Sequence, residues 1–151
     1  MKPALWLRIA AVATFVHAVA HTIGGVFGDP GPGPAAVALQ AMRANQFVVM
    51  GHVRSYSDFY RGLGLAVTIF LTAEAIVFWQ LSSLAKTEAR RLRPILVTFL
   101  VAYAALGVMS EIYLFAGPVI VELLIAACLG MAIVGAGSEG EVEARAAAQR
   151  A

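Results

Sequence analysis

Four long apolar stretches constrain this chain more than any other feature of its sequence. The hydrocarbon core of a lipid bilayer is about 30 Å thick, and an α-helix crosses it with about 20 apolar residues. Stretches of this length and composition lie at residues 5–25, 59–81, 94–114 and 118–136. The sequence therefore predicts an all-α fold: a bundle of four transmembrane helices over residues 1–136, followed by a tail over residues 137–151.

The composition agrees with a membrane protein. The chain has 151 residues, of which 60% are hydrophobic and 13% are charged, and its mean hydropathy is +0.80. Soluble domains carry about 25% charged residues. A net charge of +2, with no basic run interleaved with aromatic residues, argues against nucleic acid as a partner. The single cysteine, Cys128, excludes a disulfide within the chain and is typical of a small packing residue in an apolar helix.

The positions of lysine and arginine predict the orientation, because these residues are enriched in cytoplasmic loops. The cations that flank one side of the predicted bundle are Lys2, Arg8, Lys86, Arg90, Arg91, Arg93, Arg145 and Arg150. The cations that flank the other side are Arg43, Arg54 and Arg61. We therefore expect a bacterial inner membrane protein with both termini, and the tail over residues 137–151, in the cytoplasm.

The first apolar stretch has an alternative interpretation. A basic start, an apolar middle and the sequence Ala18-Val19-Ala20 are also typical of a signal peptide with its cleavage site. Arg8 shortens the apolar middle, however, and histidines are unusual near a cleavage site. We favour a retained first span.

The segment between the first two spans predicts a short outer element. Glycine and proline alternate over residues 28–34, which excludes a helix there. Residues 35–50 predict an amphipathic helix that lies on the outer membrane surface or caps the bundle. The short FAGP sequence, residues 115–118, makes the third and fourth spans antiparallel neighbours. We expect Pro94 and Pro118 at helix starts, where a missing N–H costs nothing.

Ionisable residues interrupt the spans, and each needs a compensating interaction, because a charge inside hydrocarbon costs about 2.5–3.5 kcal/mol. A helix rises 1.5 Å per residue, which brings groups from three spans to similar depths in the outer half of the membrane. The predicted polar layer contains His17, His21, Asp58, Arg61, Glu111 and Glu122. Glu74 lies nearer the cytoplasmic side, away from this layer, and is predicted to have a structural role.

The preferred interpretation of this layer is a pocket for a lipid-like small molecule. If the protein is an enzyme, His21 and Glu111 form the proton-transfer pair, because histidine and glutamate can exchange protons as acid and base, as an isomerisation requires. Arg61 would orient or neutralise an anionic group of the ligand. The other residues predicted to bind the ligand are His17, His52, Asp58, Tyr60 and Glu122.

Alternatives from other classes remain open at this point. The layer could belong to a structural or accessory membrane subunit, where it only fixes helix packing. His17 and His21, four residues apart, could share a transition metal ion such as zinc, with Glu111 completing the site; no other cofactor is expected. Proton or ion conduction is disfavoured, because the cytoplasmic half has few polar groups. A homo-oligomer or a larger membrane complex is compatible with any of these.

At HAVAHTIGG and RSYSDFYRGLG the sequence resembles a family of small, uncharacterised bacterial integral membrane proteins. In that family a histidine-bearing first helix precedes a loop that ends in an R-S-Y-x-D-F-Y-x-G pattern. The matching positions are Arg54, Ser55, Tyr56, Asp58, Phe59, Tyr60 and Gly62. The resemblance implies a topology but no activity, because none is established for the family. The second motif fits a pocket mouth, or an anchor in which Tyr56 and Tyr60 lie among headgroups.

Overall fold

The structure is a computed structural model that describes residues 2–148, with side chains described over residues 2–137. Its elements are α1 (Pro3–Ala20), a π-helix (His21–Val26), α2 (Pro34–Ala44), β1 (Gln46–Val49), β2 (His52–Ser55), α3 (Tyr56–Leu84), α4 (Ala89–Tyr113) and α5 (Ala116–Ala148). The predicted all-α class is therefore confirmed, with one added hairpin.

Four helical segments of the described chain are long and apolar enough to cross a membrane. They are Pro3–Val26, Tyr56–Leu84, Ala89–Tyr113 and Ala116–Gly137. The four predicted spans are thereby confirmed by length and composition, and they support a multi-pass membrane protein.

The helices extend beyond the apolar stretches that mark them in the sequence. Because α4 begins at Ala89, Pro94 lies inside the helix, and the prediction that it starts one is wrong. Arginines end an apolar stretch but are good helix formers, so the helix continues through them. Pro118 does lie in the first turn of α5, where an N–H group has no helical partner.

Most of the predicted tail over residues 137–151 continues α5 as helical backbone, which is described through Ala148. Residues 149–151, and the side chains from residue 138 onward, lie outside the described part of the chain.

The predicted outer helix over residues 35–50 is shorter than expected, because α2 ends at Ala44. Residues 46–49 instead form β1, which pairs with β2 as an antiparallel hairpin. The two turn residues, Met50 and Gly51, have φ angles of 49° and 83°. Positive φ at both positions is the pattern of a type I′ turn, whose twist suits a two-residue hairpin.

The chain divides into two compact units. Unit 1 contains residues 1–17 and 72–151, and unit 2 contains residues 18–71. Unit 1 therefore includes most of α1, the second half of α3, and all of α4 and α5. Unit 2 includes the π-helix, α2, the hairpin and the first half of α3.

Unit 1 has a continuous apolar core to which all four of its helices contribute. The large side chains that are at most 1% exposed are Leu7, Phe78, Leu96, Tyr103, Ile125 and Leu129. The ring of Phe78 packs against Phe99, with 4.9 Å between centroids. Cys128 belongs to this core at 2% exposure, as a small packing residue would.

Helices α4 and α5 are antiparallel neighbours, as the short FAGP connection predicts. Ser110 of α4 binds Glu122 of α5, whereas Arg93 of α4 lies beside Gly137 of α5. The end of α4 thus contacts the start of α5, and the start of α4 contacts a later part of α5.

In unit 2 the π-helix packs against α3 at Gly64. The ring nitrogen Nε2 of His21 lies 3.0 Å from the Gly64 carbonyl oxygen. A Cβ atom at Gly64 would lie 2.9 Å from Cγ2 of Val26, so this contact requires glycine. His21 and Val26 are five residues apart and share a face, because hydrogen bonds in a π-helix join residues five apart.

Candidate functional site

A hydrogen-bonded network crosses the core of unit 1. The hydroxyl of Tyr103 donates to Oε2 of Glu74 at 2.7 Å and lies 3.5 Å from Oγ1 of Thr14. Tyr103 and Thr14 are 1% and 0% exposed. The network joins α1, α3 and α4. Tyr103 is the hydrogen-bond donor to Glu74, and a structural role for Glu74 stays a prediction. Tyr103 was not among the predicted site residues, although a tyrosine in the middle of an apolar span is the signal for such a contact.

A second polar contact in unit 1 joins α4 to α5. The Ser110 hydroxyl donates to Oε1 of Glu122 at 3.1 Å. Both side chains are buried, at 0% and 4% exposure. Among the side chains that the structure describes, Oε2 of Glu122 has no hydrogen-bond partner.

Glu111, which was predicted in the polar layer, lies on α4 close to two buried positions but is not itself buried. Its side chain is exposed, whereas Gly107 and Ser110 are buried. On an α-helix Glu111 is rotated by about 100° from Ser110 and by about 40° from Gly107, which places it at the edge of the buried stripe. The proposed pairing of Glu111 with His21 stays a prediction.

The metal alternative finds no support in the described residues. His17 is half-buried in unit 1. No three histidine, cysteine, aspartate or glutamate side chains of the described chain are grouped so that they could hold an ion. Zinc binding by His17, His21 and Glu111 stays a prediction.

Polar contacts also hold the end of the first span to α3 within unit 2. The Thr22 and Thr68 hydroxyl oxygens are 2.9 Å apart, and His21 donates to the Gly64 carbonyl oxygen. The acceptor for His21 is therefore a backbone group of α3.

A groove of about 980 Å³ runs along α2 in unit 2, bordered by the glycine-rich segment after the first span and by the start of α3. Its polar lining residues are Asp29, Gln40, Arg43, Ser57, Tyr60 and Arg61. Its larger apolar lining residues are Val26, Phe27, Leu39 and Met42. Two of the residues predicted to bind a ligand, Tyr60 and Arg61, thus line this groove together with Arg43, which the sequence alone did not single out.

The charged side chains of the groove differ in the contacts that they make. Arg61 lies over the ring of Phe27, with 5.8 Å from its guanidinium carbon to the ring centroid. Oδ1 of Asp29 accepts the backbone N–H of Gly31 at 3.0 Å. Within the described part of the chain, neither Arg43 nor Arg61 forms a salt bridge. The groove therefore contains two arginines outside any described salt bridge and one carboxylate, and Arg61 also interacts electrostatically with Asp58.

Asp58 and His52 lie outside this lining. Oδ2 of Asp58 accepts the backbone N–H and the hydroxyl of Ser55, at 2.8 and 2.9 Å. The Ser55 hydroxyl oxygen accepts the N–H of Asp58 at 3.2 Å, which completes a capping box at the start of α3. His52 is exposed in β2. Ligand binding by either residue stays a prediction.

No protein-family model, curated protein or solved structure matches this chain. The resemblance to the family of small bacterial membrane proteins therefore stays a prediction.

Proposed function

We propose that the groove of unit 2 binds an anionic, lipid-like small molecule, with Arg43 and Arg61 holding the charged group. One observation supports this most: the groove has about 980 Å³ of space and carries two arginines without a salt-bridge partner among the described residues.

The size and lining of the groove suit an amphiphile. Pockets that bind small molecules have volumes of about 300–1,000 Å³ and combine apolar walls with a few polar groups. Here the side chains of Phe27, Leu39 and Met42 border the same space as the arginines. An apolar chain and a charged group could therefore bind side by side.

Arginine favours a phosphate or a carboxylate as that charged group. A guanidinium donates two parallel hydrogen bonds to either anion. The Arg61 guanidinium carbon lies 5.8 Å from the centroid of the Phe27 ring, and this cation–π contact does not use the guanidinium N–H groups as hydrogen-bond donors. Asp29 accepts a bond from Gly31 and forms no salt bridge with either arginine among the described residues.

The groove lies where two spans end. Val26 is the last residue of the first candidate span and Tyr56 is the first residue of the second. From the bias of lysine and arginine we infer that both termini are cytoplasmic. The groove then faces the outer surface of a bacterial inner membrane, where lipid headgroups are available.

We propose binding rather than catalysis for this groove. His21, the predicted acid or base, uses Nε2 to donate to the Gly64 carbonyl oxygen. Proton transfer to or from a ligand by His21 and Glu111 stays a separate prediction, because neither residue lines the groove.

A second candidate is a structural or accessory membrane subunit. The observation that favours it is the mutual bonding of polar side chains in unit 1, where Tyr103 binds Glu74 and Ser110 binds Glu122. Contacts of this kind fix which helices are neighbours, as an accessory role would require.

The test is native mass spectrometry of protein extracted in mild detergent and supplied with phosphatidylglycerol or with phosphatidylcholine. The wild type is expected to retain the anionic lipid preferentially. The double variant Arg43→Gln, Arg61→Gln should retain roughly tenfold less, because a hydrogen bond to a charged group contributes about 1.5–3 kcal/mol.

Arg54→Gln is the matched control for this experiment. Arg54 is an exposed arginine of unit 2 that donates to the neighbouring Val53 carbonyl oxygen and lies outside the groove lining. Its substitution should leave retention unchanged. Equal retention of both lipids, or an equal loss in both variants, would exclude the groove and leave the accessory role.

A further inference from the structure

We propose that the β1–β2 hairpin inserts its tip into the interfacial region of the lipid bilayer. This surface lies outside the groove lining, so the inference is independent of the ligand proposed above. Three residues form what we call the apolar tip: Val48, Met50 and Val53.

The turn of the hairpin carries a residue that the turn itself does not favour. Both positions of a type I′ turn need positive φ, which favours asparagine and glycine. Met50 occupies the first position with a φ of 49°, although positive φ is uncommon for residues other than glycine, asparagine and aspartate. Its side chain is 95% exposed. A local interaction of the turn therefore does not account for methionine here, whereas contact with an apolar medium does.

The rest of the apolar tip extends this surface along the strands. Val48 and Val53 are directly opposite each other in the hairpin, so they lie on one face. They are 70% and 57% exposed. The polar pair Gln46 and Ser55 lies on the same face but farther from the turn, and Arg54 and His52 lie on the opposite face. The hairpin is thus apolar at its tip and on the part of one face that adjoins the turn.

The hairpin is held at the end of a membrane span. The Phe47 ring packs against Tyr56 and Phe59, with centroid distances of 4.9 and 5.5 Å. The capping box of Ser55 and Asp58 starts α3 directly after β2. Since aromatic residues concentrate where spans meet water, this attachment favours the bilayer surface as the partner.

Physical chemistry also limits the depth of insertion. The outer edges of a two-stranded hairpin have unpaired backbone N–H and C=O groups, which hydrocarbon cannot satisfy. The backbone must therefore stay at headgroup level, and only the side chains of the apolar tip reach the upper acyl chains.

Fluorescence quenching can test this geometry in vesicles of phosphatidylcholine and phosphatidylglycerol. In a Cys128→Ala background, an environment-sensitive dye is attached at Met50→Cys or Val48→Cys. We expect lipids brominated near the top of the acyl chain to quench both dyes, and aqueous iodide to quench them weakly. Lys86→Cys, in the exposed turn between α3 and α4, is the control and should show strong iodide quenching.

Two outcomes would overturn the proposal. If iodide quenches the dye at residue 50 as strongly as the dye at residue 86, the tip is in water. If neither quencher reaches residue 50, a protein surface covers the tip instead of lipid.

A second variant separates membrane contact from hairpin folding. Met50→Asn suits the type I′ turn, so the hairpin should stay folded while its apolar tip is reduced. With the dye at residue 48, the ratio of inserted to free hairpin should fall roughly tenfold, the size expected for removing one buried methionine side chain. Unchanged quenching by brominated lipid would contradict a role for Met50 in insertion.

Discussion

Unit 1 and unit 2 bury their residues in different ways. In unit 1 large side chains such as Phe78, Tyr103 and Leu129 are at most 1% exposed. In unit 2 the buried apolar residues, among those that the structure describes, are Ala18, Val26 and Leu71. One unit is organised around a core, and the other has almost none.

In unit 2 local backbone features, instead of a large apolar core, define the structure. A π-helix, a type I′ turn, a capping box and a close helix contact at Gly64 define its shape. Regions with few buried apolar contacts open more easily than cores, and binding residues are often found on such segments. The groove therefore lies in unit 2, whose backbone is expected to open more easily, whereas unit 1 contains most of the buried apolar core.

The largest expected effect is in the core of unit 1. Phe78→Ala should lower the free energy of unfolding by about 3 kcal/mol, because it opens a cavity beside Phe99 and Tyr103. Unfolding in mixed detergent micelles measures this. Phe70→Ala removes a ring of unit 2 that is 69% exposed and is expected to change stability little. Similar losses in both variants would show that the core of unit 1 is no more important for stability than the exposed ring of unit 2.

The next effect tests the helix contact in unit 2. Gly64→Ala should destabilise the protein by about 1–3 kcal/mol, because the new methyl group would meet Val26 at 2.9 Å. Gly62→Ala, two residues away on the same helix, meets nothing within 4 Å and should be neutral or slightly stabilising. The thermal unfolding temperatures of the two variants measure the difference. An unchanged unfolding temperature for Gly64→Ala would show that the stability of unit 2 does not depend on the contact with Val26.

A smaller effect is expected from the polar network of unit 1. Tyr103→Phe keeps the ring but removes the donor to Glu74, which should cost about 1 kcal/mol of stability. Thr14→Val removes only the 3.5 Å contact and the bond to its own helix, so its loss should be smaller. Stability in mixed micelles ranks the two variants. The opposite order would show that Thr14 carries the network.

The smallest effect is expected for the hydrogen bond between Thr22 and Thr68 in unit 2. A double-mutant cycle of Thr22→Val and Thr68→Val should give a coupling of about 0.6 kcal/mol, the average for hydrogen bonds between transmembrane helices. Amide hydrogen exchange across unit 2 measures the local opening directly. A coupling energy larger than the stability loss of Tyr103→Phe would show that polar contacts stabilise unit 2 more than unit 1.

The four spans were predictable because the thickness of the bilayer fixes the length of an apolar helix. The packing of Cys128 and the antiparallel pairing of α4 with α5 followed from composition and loop length for similar reasons. Span positions and helix pairing depend on the average hydropathy and the length of whole segments, so a boundary that is wrong by one residue does not change them.

The candidate site depends on single residues, and there the sequence was less informative. Glu111 was predicted in the polar layer, but its side chain is exposed and the buried hydroxyl at this end of α4 is that of Ser110. The hairpin has valines on both sides of a glycine-containing turn, a strand signal, but methionine in place of asparagine concealed the turn. Arg43 lies on α2, and only the structure shows that this helix lines one groove with the start of α3.

The π-helix at His21–Val26 can be regarded as an α-helix that has gained one residue. Loss of a single codon there, for example that of the exposed Ile23, would return the segment to α-helical bonding and rotate the following residues by about 100°. Val26 would then leave Gly64, and Phe27 would leave Arg61. Length variation at this point among descendants of a common gene is therefore expected to separate chains that have the groove from chains that lack it.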